Sequence, residues 1–225
     1  MSRLPNSNES WVLGLDEAGR GPGLGPMVMC AVVLDKPGER HLTRLEVRDS
    51  KAYGSNEAGR TIRAQLAAHI EKISAFIAYE VCEVGEIDNY VARCELNVLE
   101  REKAQLLIAR APTCTRMIAD GRTLFSPLCV VYPHLEAVDR AEEVHVAVAA
   151  ASICAKARRD ALFAEICSRY LPEFGPLQGG GYMNPPTRAF VTAYFRRYGS
   201  LPPEARTSWP WPDISSCLLP KAGLG

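Results

Sequence analysis

The sequence predicts an α/β domain built on a mixed sheet, and three stretches of the 225-residue chain carry that prediction. Two apolar runs, residues 11–15 and Met27–Leu34, have the length and composition of buried strands. The loop between them holds four glycines and two prolines, which favours a compact turn and antiparallel pairing of the two strands. Residues 144–159 begin small and apolar, so they are predicted as a helix that packs closely on the sheet.

The other elements follow from the spacing of apolar residues, which differs between helices and strands. Residues 57–73 have helical spacing, and residues 75–84 alternate as in a strand. Residues 87–109 have a broad apolar face and are predicted as the longest helix. The remaining predictions, in chain order, are a short strand at residues 116–119, a weaker strand at 130–132 and a final helix at 187–198.

The chain is predicted to hold one folded domain with a tail at each end. Residues 1–10 are polar and predicted as a flexible tail, and residues 11–200 contain all the predicted elements. Residues 201–225 are rich in proline and are predicted to wrap the surface of the domain.

Charge and cysteine usage restrict the function classes. Lys plus Arg equals Asp plus Glu at 26 each, so a nucleic-acid-binding chain of this composition must separate a basic face from an acidic pocket. The eight cysteines occur singly, without a C-x-x-C pair, which favours reduced thiols over disulfides or zinc. Neither a signal peptide nor an apolar stretch of membrane-spanning length is present, so a cytoplasmic protein is predicted.

Acidic residues follow two predicted strands. Asp16 and Glu17 end the first strand, and Asp120 ends the strand at 116–119. If these strands are neighbours, their carboxylates converge on one point, and such oxygen ligands suit hard divalent cations. Two ions about 4 Å apart can activate water and stabilise a leaving oxygen in phosphodiester hydrolysis. The alternative is that a lone Asp-Gly pair such as Asp120-Gly121 is an ordinary solvated turn.

The glycine-dense loop after Glu17 has two interpretations. It lacks the Lys-Ser or Lys-Thr of a P-loop and the third glycine of G-x-G-x-x-G, so a nucleotide-binding turn is excluded. The glycines indicate either a tight turn or a place where a ligand approaches the backbone closely.

Residues 14–22, which read G-L-D-E-A-G-R-G-P and are followed by Gly25-Pro26, resemble the opening signature of type 2 ribonucleases H, specifically bacterial ribonuclease HII. Further matching motifs occur in the family's order over about residues 11–210. They are Arg48-Asp49-Ser50-Lys51, Asp120-Gly121, the A-A-S-I-C-A-K and R-D groups within residues 150–160, and Gly181-Tyr182.

The resemblance implies a ribonuclease H-like fold, with a central mixed five-stranded sheet, flanking helices and a small C-terminal helical extension. It implies hydrolysis of the RNA strand of RNA–DNA hybrids and cutting 5′ of ribonucleotides embedded in duplex DNA, which leaves 5′-phosphate ends and serves replication and repair. The implied cofactor is Mg²⁺ or Mn²⁺. The implied partners are hybrid and ribonucleotide-containing duplexes, and nothing in the sequence requires more than a monomer.

The resemblance also implies roles for individual residues. Asp16, Glu17 and Asp120 would be catalytic metal ligands. The sugar at the RNA–DNA junction would be read through its 2′-hydroxyl, the group that separates RNA from DNA. The residues implied in substrate binding are Gly19, Arg20 and Gly21 for the 2′-hydroxyl, Lys51 for a backbone phosphate and Tyr182 for the neighbouring deoxyribose.

The fourth acidic ligand departs from the family's pattern. The family has an Asp where this chain has Glu142, and Asp139 lies three residues earlier, so either could complete the site, with Glu142 favoured. Tyr182 is also followed by Met183-Asn184, where the family has a small residue and then Thr or Ser. A weakened hybrid-binding protein and a DNA nuclease of the same fold are therefore the competing hypotheses, although the retained glycine loop disfavours the second.

Overall fold

The computed structural model describes residues 10–47, 53–54, 56–211 and 214. Within them, five strands form one sheet in the order β3-β2-β1-β4-β5. β1 pairs antiparallel with β2 and parallel with β4, so the sheet is mixed as predicted. The strands are β1 Val12–Ala18, β2 Met27–Leu34, β3 Phe76–Cys82, β4 Arg116–Asp120 and β5 Leu135–Val138.

Helices cover both faces of the sheet, which gives a three-layer architecture. Among the described residues they are α1 Lys36–Arg44, α2 Glu57–Ile73, α3 Val84–Val91, α4 Leu96–Arg110, α5 Arg122–Phe125, α6 Val146–Phe174 and α7 Pro185–Tyr198. α2 coincides with its prediction because its apolar side chains recur at helical spacing, and Asn56 caps its first turn through a 2.9 Å bond from the Gly59 N–H. None of the helices in the described ranges combines the length and apolar character needed to cross a bilayer.

Alternation along β1 sends its side chains to opposite layers. Leu13 and Leu15 enter the cluster that packs under α4, whereas the opposite face lies against α6. A Cβ at Gly14 would lie 2.2 Å from the carbonyl carbon of Ala147 in α6. The predicted close packing of the small-residue helix on the sheet is therefore observed, and it requires glycine at this position.

Three predictions about elements were wrong. β1 continues through Asp16 and Glu17 to Ala18, because β2 pairs with it as far as Ala18. The single long helix at 87–109 is two helices, α3 and α4, separated by a turn in which Cys94 has a φ of 59°. The weaker strand at 130–132 is absent there; residues Ser126–Val130 form a 3₁₀ turn, and the fifth strand is β5.

A third apolar cluster joins the C-terminal part to the rest of the fold. It contains Phe163 and Tyr170 of α6, Phe190 of α7, and Leu24 from the loop between β1 and β2. The described residues 201–211 run back to that loop, where Ala205 forms an isolated β-bridge with Leu24. The predicted helical C-terminal extension is therefore packed onto the glycine-rich loop.

Candidate active site

The two predicted acidic strand ends lie side by side. β1 and β4 run parallel with Leu15 opposite Ala119, so Asp16 and Asp120, one residue further along each strand, emerge at the same end of the sheet. Together with Glu17 they line a cleft of about 520 Å³. We call Asp16, Glu17 and Asp120 the carboxylate wall of this cleft.

The carboxylate wall is poorly solvated and mutually repulsive. Burial raises the pKa of Asp16 well above its ordinary value, and the nearby charge of Glu17 raises it further. Hydrogen bonds from Ser152 of α6 and from the Glu17 N–H, at 2.7 Å, oppose that shift. Burial also raises the pKa of Glu17, with Asp120 adding to the shift and Arg20 opposing it. A bound cation would relieve both the repulsion and the lost hydration.

The donor chemistry of the carboxylate wall fits a hard divalent cation, because three carboxyl groups line one cleft. The ligand geometry is open in this conformation. Among the described residues, no three His, Cys, Asp or Glu side chains already surround a single ion position.

The two candidates for the fourth acidic ligand occupy different environments. Glu142 is buried in a 3₁₀ turn, Ala141–Glu143, and the Ala141 N–H donates to Asp120 at 2.8 Å, which ties this turn to the end of β4. Asp139 is exposed and accepts a 2.6 Å bond from the Arg122 N–H at the start of α5. Neither lines the cleft with the carboxylate wall.

A basic group lies on the α6 side of the same cleft. Lys156 and Arg63 both line it, and both bind Asp160, with a 2.8 Å bond from Arg63. Burial lowers the pKa of Lys156. Two cationic side chains therefore share the cleft with the carboxylate wall.

Gly19, Arg20, Gly21 and Tyr182 also line this cleft, and we call them the glycine wall. Gly19 has a φ of +95°, and a Cβ there would lie 2.8 Å from the carbonyl oxygen of Pro26. A Cβ at Gly21 would lie 3.6 Å from the Tyr182 ring. The positive φ and the backbone clash therefore require glycine at position 19, whereas a Cβ at position 21 would be in ordinary van der Waals contact with the ring.

The Arg20 side chain, which was predicted to help read the 2′-hydroxyl, is bound to residues of α4. Its guanidinium forms an ion pair with Glu100 of α4, which is fully buried, and a 2.7 Å hydrogen bond with Asn97. The Arg20 side chain is therefore bound by α4 in this conformation. The predicted phosphate ligand Lys51 lies outside the described residues.

Two buried arginines bind the loop that carries the glycine wall, and sequence reasoning missed one of them, Arg206. Arg206 is completely buried and binds the loop backbone, and Arg159 of α6 donates to the Leu24 carbonyl at 3.2 Å. Arg159 belonged to a recognised motif, but Arg206 lay in a segment predicted as tail. The only signal for Arg206 was the aromatic content of the following residues, Trp209 and Trp211.

A family profile of ribonuclease HII matches residues 13–211. The ribonuclease HII of Methanocaldococcus jannaschii is 30% identical over 220 residues, covering 88% of this chain and 91% of the relative. This relative and the two solved structures below come from archaea. They therefore support membership of the ribonuclease HII family, but they do not test the resemblance to its bacterial members.

Two solved structures resemble the fold. The ribonuclease H2 of Pyrococcus horikoshii OT3 superposes with a TM-score of 0.76 at 24% identity, covering 89% of this chain and 94% of that chain. The structure of a complex of PCNA with ribonuclease HII from Archaeoglobus fulgidus gives a TM-score of 0.72 at 27% identity, covering 88% of this chain and 95% of the matched one. Both confirm the predicted architecture.

Proposed function

Because the chain belongs to the ribonuclease HII family, a family of metal-dependent ribonucleases H, we propose that it hydrolyses the RNA strand of RNA–DNA hybrids. We further propose that it cuts 5′ of ribonucleotides embedded in duplex DNA by a two-metal mechanism, which leaves 5′-phosphate ends. One observation supports the proposal: the carboxylate wall and the glycine wall line the same cleft. Residues suited to binding a metal ion therefore lie in the same cleft as a backbone that can hydrogen-bond to a sugar.

The proposed metal ligands are Asp16, Glu17 and Asp120, with Glu142 as the fourth. Two bound Mg²⁺ or Mn²⁺ ions would supply a nucleophile from water and would stabilise the leaving oxygen. Glu142 is favoured over Asp139 because its turn is bonded to Asp120, whereas Asp139 is engaged with the start of α5. The hydroxyl of Ser152 holds the Asp16 carboxyl at the wall.

The glycine wall is proposed to select the nucleotide that is cut. A sugar with a 2′-hydroxyl can hydrogen-bond to the loop backbone at Gly19, Arg20 and Gly21, whereas deoxyribose cannot. The Tyr182 ring, half exposed beside Gly21, would stack on the adjacent deoxyribose. Lys51 remains the proposed contact to a backbone phosphate.

The test is cleavage of a labelled DNA duplex that contains a single ribonucleotide, with Mg²⁺ and Mn²⁺ in parallel. The proposal expects one cut on the 5′ side of the ribonucleotide and a 5′-phosphate on the downstream fragment. An all-DNA duplex and a reaction containing EDTA are the controls. Cutting of the all-DNA duplex at an equal rate would instead support a DNA nuclease of this fold.

A second candidate function is a hybrid-binding protein with weakened catalysis. It is favoured by Glu142, which stays outside the lining of the cleft that the other three carboxylates share. The same duplex separates the two: tight binding, with cleavage no faster than in Asp16→Asn, would support the binding protein. Glu142→Asp then provides a direct check, because it restores the family's residue.

A further inference from the structure

Arg206 binds the backbone of the glycine wall and does not itself line the cleft. Its guanidinium donates to the carbonyl oxygens of Gly19 at 2.6 Å and Arg20 at 2.9 Å. It also donates twice to the carbonyl oxygen of Gly25, at 3.0 and 2.9 Å. One side chain thus binds both ends of the loop that closes the cleft.

The bonds from Arg206 determine which way the loop peptides face. In a planar trans peptide, the carbonyl of one residue points opposite to the N–H of the next residue. Since the carbonyls of Gly19 and Arg20 point at Arg206, the N–H groups of Arg20 and Gly21 point away from it, and these two residues line the cleft whereas Arg206 does not. Within the described part of the chain, no hydrogen bond uses either of these N–H groups.

The Arg206 guanidinium is itself held firmly. It lies 4.8 Å from the ring centre of Trp209, whose indole N–H donates to the Gly21 carbonyl at 3.2 Å. The backbone of Arg206 is held as well. Its N–H donates to the Gly23 carbonyl at 2.8 Å, and its carbonyl accepts a 2.9 Å bond from the Trp211 indole N–H. Burial lowers the pKa of Arg206 to about 10, so it remains charged at neutral pH.

No salt bridge to Arg206 occurs among the residues that the structure describes. A buried cation without a carboxylate partner is costly, and here its donors are directed to loop carbonyls. A residue that served only to join the C-terminal segment to the core could be apolar, as its neighbours Ala205 and Trp211 are. The charge is therefore explained by the orientation of the loop.

We propose that Arg206 is a positioning residue for substrate discrimination, which presents the N–H groups of Arg20 and Gly21 to the 2′-hydroxyl of the substrate. The inference rests on the proposed function of the glycine wall. Arg206 does not touch the substrate; it acts through the peptides that do. Loss of its bonds lets those peptides rotate, so the preference for ribose falls while general duplex binding is retained.

The experiment measures the affinity of the full chain for two fluorescent duplexes, one all-DNA and one with a single ribonucleotide. Ca²⁺ replaces Mg²⁺, and gels verify that neither duplex is cut. The variants are Arg206→Lys, which keeps the charge but cannot reach three carbonyls, and Arg206→Met. The matched control is Arg169→Met, since Arg169 is an exposed arginine that pairs with Glu204 of the same segment.

We expect both Arg206 variants to lower the ribonucleotide preference by about tenfold, the equivalent of one charge-assisted hydrogen bond, with all-DNA affinity unchanged. Arg169→Met should leave both affinities unchanged. Equal losses on both duplexes, or unfolding of both Arg206 variants, would assign Arg206 to folding alone and overturn the inference. An unaltered preference in folded variants would overturn it too. A wild-type chain without any ribonucleotide preference would instead refute the proposed function, and the inference with it.

Discussion

The carboxylate wall and the glycine wall meet in one cleft, but different parts of the fold hold them. Asp16 and Asp120 continue directly from paired strands, so the hydrogen bonds of the sheet fix their backbones. The glycine wall lies beyond the end of β1, and its carbonyls are held by Arg206, 187 residues from Gly19 in the sequence. Under the proposed function, chemistry would be carried by the most regular part of the molecule, and discrimination by a loop that depends on distant contacts.

This difference predicts that the walls fail in different ways. A change in the carboxylate wall should remove turnover and leave the fold intact, because the sheet does not depend on those side chains. A change in or behind the glycine wall should alter substrate preference and cost stability together. The following predictions test that separation, from the largest expected effect to the smallest.

Asp120→Asn should reduce cleavage of the single-ribonucleotide duplex by roughly a thousandfold, since it removes a charged ligand from the proposed metal site. Asparagine keeps an oxygen that can accept the Ala141 N–H, so the melting temperature should change little. Initial rates at saturating Mg²⁺ and a thermal melt measure the two quantities. Glu143→Gln is the control, because Glu143 is an exposed acidic residue nearby that pairs with Arg140. Equal rates for Asp120→Asn and wild type would remove Asp120 from the carboxylate wall's proposed role.

Gly19→Ala should lower kcat/KM on the same substrate by about a hundredfold and destabilise the fold by about 1–3 kcal/mol. The added Cβ would lie 2.8 Å from the Pro26 carbonyl oxygen at a φ of +95°, so the loop must move. Steady-state kinetics and chemical denaturation are the measurements. Gly85→Ala is the matched control: a Cβ there meets nothing within 4 Å, and α3 should gain stability. Undiminished kcat/KM in Gly19→Ala would show that the glycine wall tolerates displacement.

Glu100→Gln should weaken discrimination by a few-fold and cost about 1 kcal/mol of stability. Glu100 is buried and forms an ion pair with Arg20, whose side chain is partly exposed. After the substitution, water can therefore solvate part of the Arg20 guanidinium, which limits the loss of stability. The ratio of affinities for single-ribonucleotide and all-DNA duplexes, measured in Ca²⁺, reports discrimination. Glu102→Gln, a nearby exposed change on α4, should leave that ratio unchanged. A similar change of the ratio in both variants would indicate a general effect of α4 and contradict the prediction.

The metal-free protein should lose a few degrees of melting temperature as pH rises above the ordinary carboxyl values of 3.8 and 4.5. Burial raises the folded-state pKa of Asp16 and Glu17, so protonation favours the folded state. Protonation of these two carboxyls stabilises the folded state fully at pH values below their unfolded-state pKa. This stabilisation is lost as the pH rises through their folded-state pKa. Melts in EDTA across this range should show the slope, and Asp16→Asn should flatten it. Added Mg²⁺ should restore stability near neutral pH. If the melting temperatures of wild type and Asp16→Asn instead rose equally with pH, the raised pKa of Asp16 would not be the cause of the slope.

Local patterns were sufficient for much of the fold. The helical spacing of α2 and the apolar run of β2 predicted the bounds of these elements, because both patterns involve only residues close together in the sequence. The break between α3 and α4 was missed because both helices share an apolar face and the turn at Cys94 has no proline or glycine. β5 was misplaced because its burial comes from β4, to which it pairs, and not from its own composition.

The sequence by itself determined the family, the acidic pair at the end of β1 and the glycine-rich loop, because these are short contiguous motifs. Tertiary structure alone decided that Asp120 emerges beside Asp16, through the register of two strands more than a hundred residues apart in the chain. It also placed Glu142 in a turn bonded to Asp120, turned the Arg20 side chain toward Glu100, and brought Arg206 behind the loop. The physical reason is that each of these arrangements depends on which distant surfaces pack together, and no local spacing encodes that.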